Sequence, residues 1–395
     1  LGPEEAAAAK KAIGVPDGCQ FYIFPEAQTF FQSKQPAWKA RYEEWKKSLE
    51  AWKRENPDKA KEWARHFEDG GNDLSSVTLP SFKVGETLAT RAAGGQVLNA
   101  LARAVPNLIG GSADLAPSNS TNLKDMGDFS ASNPLGRNFH FGIREHGMGG
   151  ISNGIAYHGG LRPFCATFLV FSDYMRPAIR LAAIAKLPVI YVFTHDSVFV
   201  GEDGPTHEPV EHLAALRAVP NLLVLRPGDA EETEVAWRIA YERREGPTAL
   251  ALTRQGIAVY PKADSAWRAT IRKGAYIAKD CDGAPEIVVV ATGSEVSAAI
   301  AAAAELRDRK VRIVSMLSRE LFVAQPADFR LALVPARARK VTFEAGVSFG
   351  WKGPFDDDSV SVVSIERFGE SGPYQKIAEH LGITAAALVK RIREL

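Results

Sequence analysis

The sequence predicts two α/β units with mainly parallel sheets, preceded by a charged, helical amino-terminal segment. Three observations carry this reading. Between about residue 80 and residue 256, short apolar runs alternate with longer stretches of helical period; the same alternation resumes at Glu286; and residues 1 to about 74 show helical period and charge alone. Short apolar strands separated by helices of this length indicate a mainly parallel sheet covered on both faces.

In the first segment, Trp38, Tyr42, Trp45, Leu49 and Trp52 recur at alternating spacings of four and three, one apolar stripe on a helix. Interleaved Lys and Glu leave it no basic face, so it reads as a structural clasp rather than a stacking platform for bases. In the second segment, helices are expected over Gly85–Ala104, Met148–His158, Ser172–Lys186, Glu208–Arg217 and Asp229–Arg243. The strand candidates are Asn107–Gly110, Pro163–Leu169, Pro188–Thr194, Asn221–Arg226 and Thr248–Thr253. A polar stretch, Tyr260–Arg272, then leads to a second unit. Its strands are expected at Glu286–Ala291, Val311–Ser315, Lys340–Glu344 and Val360–Ile365, with helices at Val296–Arg307 and Thr384–Leu395. The expected divisions are 1–74, 75–262 and 263–395. Thr292-Gly-Ser294 reads as an ordinary strand-to-helix turn rather than an anion cradle, and no catalytic residue is assigned to the last division.

The 48 Lys and Arg against 47 Asp and Glu give a net charge of +1, so no bulk attraction to nucleic acid or an anionic membrane is expected. Cys19, Cys165 and Cys281 are few, widely spaced and odd in number, which favours a reducing compartment. With no apolar run of membrane-spanning length and no signal-peptide pattern, the expected location is the cytoplasm. The chain opens at Leu1 without a methionine, which reads as the start of a fragment.

Ligands of open parallel sheets sit beyond the carboxyl ends of the strands. His195 directly follows one strand candidate and Arg254 another, so both belong to that rim. Phe139-His-Phe-Gly-Ile-Arg-Glu-His-Gly-Met148 runs from an aromatic stretch into an Ala/Gly-rich helix and places Glu145 near the helix start. There the helix dipole and free N–H groups favour an acid. Taken alone, Glu145 is a helix cap; Phe168, Phe171 and Tyr174, three apart, are core aromatics on related faces of a helix start; and Arg91 and Arg254 are surface charges. His146, His195 and His207 match no zinc-ligand spacing, so no metal site is assigned.

Taken together, four blocks change that reading: Gly110-Gly-Ser-Ala-Asp-Leu-Ala-Pro-Ser-Asn119, the Arg-Glu-His-Gly-Met block, Thr167-Phe-Leu-Val-Phe-Ser-Asp-Tyr174, and Gly201-Glu-Asp-Gly-Pro-Thr-His-Glu-Pro-Val-Glu211. In these blocks and their order the sequence resembles transketolase, the thiamine-diphosphate enzyme family that moves two-carbon ketol units between sugar phosphates. The resemblance runs the length of the chain and implies a pyrimidine-binding domain and a carboxy-terminal domain behind a helical linker. It implies that Glu145 is the glutamate that protonates the cofactor's aminopyrimidine ring, a task that requires a carboxyl able to hold a proton. Burial favours that form. Phe168, Phe171 and Tyr174 would form the pocket for the ring, and Asp114 would reach the cofactor from the Ser-Ala-Asp-Leu loop. Arg91, Ser118, His195 and Arg254 match the acceptor-phosphate site. Arg91 stands in Thr-Arg-Ala-Ala where relatives tend to carry Arg-Lys-Ala-Ser. Asp203 would contact a substrate hydroxyl, and His207 the ketol oxygen, where an imidazole of ordinary pKa ~6.5 can shuttle protons.

One part of the pattern is missing. The family holds the diphosphate through a magnesium ion bound by a Gly-Asp-Gly stretch and a later Asn, in a domain preceding these residues, and this sequence contains no Gly-Asp-Gly. The resemblance therefore implies thiamine diphosphate and Mg²⁺ as cofactors of the complete enzyme, sugar phosphates as substrates and a homodimer. The chain alone is expected to bind no cofactor tightly and to be inactive, its diphosphate domain lying in cis or on a separate chain. The alternatives are dihydroxyacetone synthase, deoxyxylulose-phosphate synthase, or a non-catalytic subunit of the same fold.

Overall fold

The computed structural model describes residues 2–67 and 74–395. The chain divides into two compact units, residues 1–70 and residues 71–395. The end of the expected linker, residues 68–73, lies outside the described residues.

The first unit contains helices Pro3–Ala12, Pro25–Glu55 and Pro57–Phe67. Each starts on a proline, whose missing N–H is harmless in a first helical turn. None of the three has a buried residue. The aromatic stripe lies on the 31-residue middle helix; Tyr42 stacks on Trp45, and Trp52 meets Trp63 of the next helix with ring centroids 6.2 Å apart.

The second unit carries strands β1 (Thr87–Ala89), β2 (Leu108–Ser112), β3 (Asn138–His140), β4 (Arg162–Phe168), β5 (Ile190–Thr194), β6 (Leu223–Leu225), β7 (Thr248–Leu252) and β8 (Gly256–Ala258), followed by β9 (Ala275–Lys279), β10 (Ile287–Ala291), β11 (Val311–Met316), β12 (Arg339–Phe343) and β13 (Ser361–Val363). The first sheet is wholly parallel, in the order β3-β2-β4-β5-β7-β6. Every residue of β2, β4, β5 and β7 is buried, as helices on both faces require. Phe168, Thr194 and Leu252 are in register at its carboxyl edge. The second sheet, β13-β12-β10-β11-β9, is parallel except for β9, and β1 and β8 form a separate antiparallel ribbon.

Several boundaries differ from the sequence reading. The helix expected from Gly85 begins at Thr90: Gly85 has φ +86° and residues 87–89 pair with residues 256–258. The helix expected from Ser172 is a 3₁₀ turn, Leu169–Met175, followed by an α-helix, Arg176–Ile184, with a proline in its first turn. The helix expected from Glu208 begins at His212, because Pro209 disfavours helical backbone in the residue before it. The strands β3 and β9 and the helices Arg319–Val323, Ala327–Leu333 and Tyr374–Leu381 were not expected; most are too short to establish a period.

The two sheets meet rim to rim. Arg226, just past β6, is wholly buried. Its Nε donates to Asp196 at 2.8 Å, and Nη1 donates to Thr292 Oγ1 at 2.9 Å and to Glu295. Arg217 grips Glu344 with two hydrogen bonds of 2.8 Å, and Thr292 and Trp351 donate to the same carboxylate. Burial alone would push the Glu344 carboxyl up, yet Arg217, Arg226 and Thr292 together hold it down to about 2. The Arg226 guanidinium occupies the space beside Gly293 (φ +56°), so the Thr292-Gly-Ser294 turn receives a cation rather than cradling an anion. Glu232 forms a second bridge, accepting from Tyr276 at 2.9 Å and Ser315 at 2.8 Å.

Replacing Arg226 by methionine strands two buried carboxyls, those of Asp196 and Glu295, while Glu344 keeps Arg217. Removing one partner of such a set typically costs about 3–5 kcal/mol, so urea denaturation of Arg226→Met is expected to show a loss of that size. A midpoint equal to that of the parent chain would mean that the charges at this seam contribute nothing to stability.

Candidate active site

The carboxyl edge of the first sheet gathers the candidate residues. Phe168 ends β4, His195 follows β5, Arg254 lies two residues past β7 and Asp114 two past β2. The 3₁₀ turn after Phe168 has about three residues per turn, so side chains three apart eclipse. Phe168 therefore stacks on Phe171 (5.7 Å, 7°) and Phe171 on Tyr174 (6.0 Å, 19°). His195 lies face-on to Phe168 at 3.6 Å, and His207 meets Phe171 edge-on at 5.5 Å. The result is one aromatic ladder with a buried end at His195 and an open end at Tyr174, which is 65% exposed.

Glu145 is the first residue of helix Glu145–His158 and is buried. That helix packs against the 3₁₀ turn and the helix after it. A Cβ on Gly149 would come within 2.8 Å of Ala178 and 3.2 Å of Met175, so the glycine permits the close approach. Glu145 and the ladder thus lie on adjoining elements.

Beside the buried end lies a cationic pocket. Arg91 donates to the Ser118 carbonyl, so in this structure Ser118 anchors an arginine through its backbone. Burial lowers the Arg91 pKa, and the neighbouring Arg254 guanidinium lowers it further. His195 is 3% exposed. Burial, then Arg91, Arg254 and His207, force its pKa down to about 3. Positive groups held together beside a buried, neutral imidazole form a site ready for an anion.

His195 (φ +58°) is oriented by a polar chain that the sequence reading missed. Thr194 Oγ1 donates to Asn119 Oδ1 at 2.6 Å and lies 2.8 Å from His195 Nδ1. With the hydroxyl proton so committed, Nδ1–H donates to Thr194 and leaves Nε2 as an acceptor. Asn119 donates in turn to Ser112, which shares a hydrogen bond with Thr121. Ser112 and Thr194, polar residues at the ends of otherwise apolar strands, were the available signal.

Asp203 is exposed on the loop that begins at Gly201, where Gly201 (φ +91°) and Gly204 (φ +79°) shape two turns ending at His207. Asp114 is exposed in left-handed backbone (φ +59°). His146 is exposed on its helix, whereas His195 and His207 come together around the ladder.

Residues 86–258 match the family model for the transketolase pyrimidine-binding domain, and residues 274–384 match that for the transketolase-like carboxy-terminal domain. The chain belongs to the transketolase family. It is 46% identical to the transketolase of Treponema pallidum over 99% of its own length and 59% of that protein. Among solved structures, transketolase from Leishmania mexicana superposes with a TM-score of 0.90 at 40% identity, covering all of this chain and 58% of that one. The chain thus spans about three fifths of the length of these relatives. A structure titled "Split gene transketolase, inactive beta4 tetramer" matches 78% of this chain and 98% of its own, with a TM-score of 0.60 and 26% identity.

Because an imidazole of pKa about 3 stays neutral while its unfolded counterpart protonates near 6.5, His195 costs stability as pH falls from about 6.5 toward 3. Imidazole NMR of the ligand-free chain should show a ring that remains neutral down to about pH 4, with both Arg254→Ala and inorganic phosphate raising its pKa. Each of Arg91→Ala and Arg254→Ala should weaken phosphate binding by about 1.5–3 kcal/mol. A ring titrating near 6.5, indifferent to phosphate, would rule out an anion pocket here.

Proposed function

We propose that this chain carries the ring-binding and sugar-phosphate-binding half of a transketolase, which transfers a two-carbon ketol unit from a ketose phosphate to an aldose phosphate. The observation that carries this is the contact between Phe168 and His195, which joins the aromatic ladder to the pocket of Arg91 and Arg254. Phe168, Phe171 and Tyr174 would stack the pyrimidine ring of thiamine diphosphate, with Glu145 holding a proton at its ring nitrogen and Asp114 approaching from the adjoining loop. The open face of Tyr174 and the buried helix start at Glu145 fit that half of the cofactor. Thiamine diphosphate supplies a nucleophilic ring carbon when bound. Arg91, Arg254, His195 and Ser118 would bind the distal phosphate of the sugar; Asp203 would accept from a hydroxyl; and His207 would move a proton at the ketol oxygen.

The sequence offers no Gly-Asp-Gly set for the diphosphate and Mg²⁺, so those ligands are assigned to a domain supplied in cis or by a second polypeptide. A split-gene relative supports the second arrangement. A stacked, hydrogen-bonded ring contributes about 3–5 kcal/mol, which corresponds to millimolar binding at best. Calorimetry of the chain alone with cofactor and Mg²⁺ should therefore register no micromolar binding. Combination with a separately made diphosphate domain should produce ketol transfer, which Glu145→Ala lowers by orders of magnitude. Pyruvate condensation in that assembly would identify a deoxyxylulose-phosphate synthase instead, and inactivity with a competent partner domain would favour a non-catalytic subunit.

The assembly is a homodimer on this reading. Helix Glu145–His158 turns an open stripe outward: added Cβ atoms on Gly150 and Gly154 would meet nothing within 4 Å, Ile151 and Tyr157 are 50% and 77% exposed, and Ile143 just before the helix is 80% exposed. Small residues along a helix allow close approach of a second copy. Sedimentation should give a dimer at micromolar concentration, and a monomer alone would remove this face from consideration.

A further inference from the structure

The second α/β unit touches the Gly201–Glu211 loop at two places. Ser371 Oγ donates to the Glu202 carbonyl at 2.7 Å and Gly372 N–H donates to the Gly201 carbonyl at 3.4 Å. At the loop's far end, Val347 N–H donates to the Val210 carbonyl at 3.2 Å. Both approaches are tight: a Cβ on Gly201 would lie 3.2 Å from the Gly372 carbonyl, and one on Gly346 3.1 Å from that of Val210. Between the two contacts sits Glu208, 2% exposed, beside His207. Its carboxylate lies directly against Gly369, where an added Cβ would fall 1.6 Å from Oε2.

We propose that the segment Gly369–Gly372 is a clamp that positions the Gly201–His207 loop, and that Glu208 is the positioning residue through which the clamp closes. The clamp gives the carboxy-terminal domain a part in presenting Asp203 and His207. That part rests on the reading above, in which both residues face the sugar.

Neither oxygen of Glu208 completes a hydrogen bond. Burial pushes the carboxyl up to about 7; the N–H groups of Glu370 and Gly201 oppose this, and the charges of Glu370 and Asp203 add to it. Glu202, Asp203, His207 and Glu211 are the titratable groups on the loop side. On the clamp side are Arg367 and Glu370, with Glu370 paired to Arg367 at 2.7 Å and to His380 of the following helix at 3.3 Å. The helix also carries Lys376, which pairs with Glu379. No cation in these pairs is placed on Glu208. The clamp therefore closes on a neutral carboxyl and loosens as pH rises through about 7, since an ionised Glu208 would stand buried beside two other carboxylates.

Hydrogen–deuterium exchange of peptides spanning the loop, corrected for intrinsic rates, tests this on the chain itself. Between about pH 6 and pH 8 the wild-type loop should lose roughly fivefold to tenfold in protection, following the ratio of neutral to ionised carboxyl one unit past its midpoint. Glu208→Gln, which cannot ionise, should keep its protection across that range. Gly369→Ala should loosen the loop at both pH values, because the added methyl would overlap the Glu208 carboxylate. A Glu208→Gln loop with the wild-type pH course would overturn the proposal, as would a Gly369→Ala chain that is unchanged. The Gly369→Ala variant decides the matter should Glu208→Gln fail to fold. In the complete enzyme at pH 8, Glu208→Gln should lower the KM for the ketose donor. If the exchange result holds but that KM does not move, the clamp stands and the assignment of the loop to the sugar falls.

Discussion

The pairing of Arg226 with Asp196, Glu295 and the Glu344 cluster is the constraint on which the site depends. Asp196 adjoins His195, and Thr292 and Glu344 directly follow β10 and β12. One guanidinium therefore binds the carboxyl edge of the first sheet to the carboxyl edge of the second. Two buried guanidiniums, Arg217 and Arg226, face three carboxyls there; burial outweighs Arg226's pull at Glu295 and raises it, whereas the cations win at Glu344. Charges buried this way add little net stability when intact but are costly to break. They fix where the sheets meet more than how strongly.

Electrostatics also divide the rim by sign. At the seam every buried cation has a carboxylate partner; around His195 the charges acting on the imidazole are Arg91, Arg254 and His207. The compensated cluster organises the fold, and the cations around His195 stand without a carboxylate among the groups that act on the imidazole. Between them the Asn119–Thr194 chain sets the imidazole tautomer, so the acceptor nitrogen is chosen by residues that meet no substrate on this reading.

Much of this was legible in the sequence because the parallel sheet places strand-following residues on one rim. That rule points to His195 and Arg254, whereas the spacing of Phe168, Phe171 and Tyr174 alone gives core aromatics on related faces, and only the family resemblance implies a ring pocket there. The seam was not legible. Arg217 and Glu344 are 127 residues apart and Arg226 and Glu295 are 69 apart, and charged residues give no periodic signal for such pairings. Helical period alone extends back to Glu208, but Pro209 disfavours helical backbone there and the helix begins at His212. The role of Ser118 depended on a carbonyl, which residue type does not encode.

The 3₁₀ turn carries a consequence for how the segment can vary in length. Three residues of an α-helix advance about 300°, whereas three residues of a 3₁₀ turn complete the circle. The rings at 168, 171 and 174 line up only in the tighter turn, so an inserted or deleted residue there would swing Tyr174 through about a third of a revolution and leave the stack broken at Phe171. Exchange of one flat side chain for another leaves the alignment intact. The segment is therefore tolerant of one flat side chain for another but fixed in length.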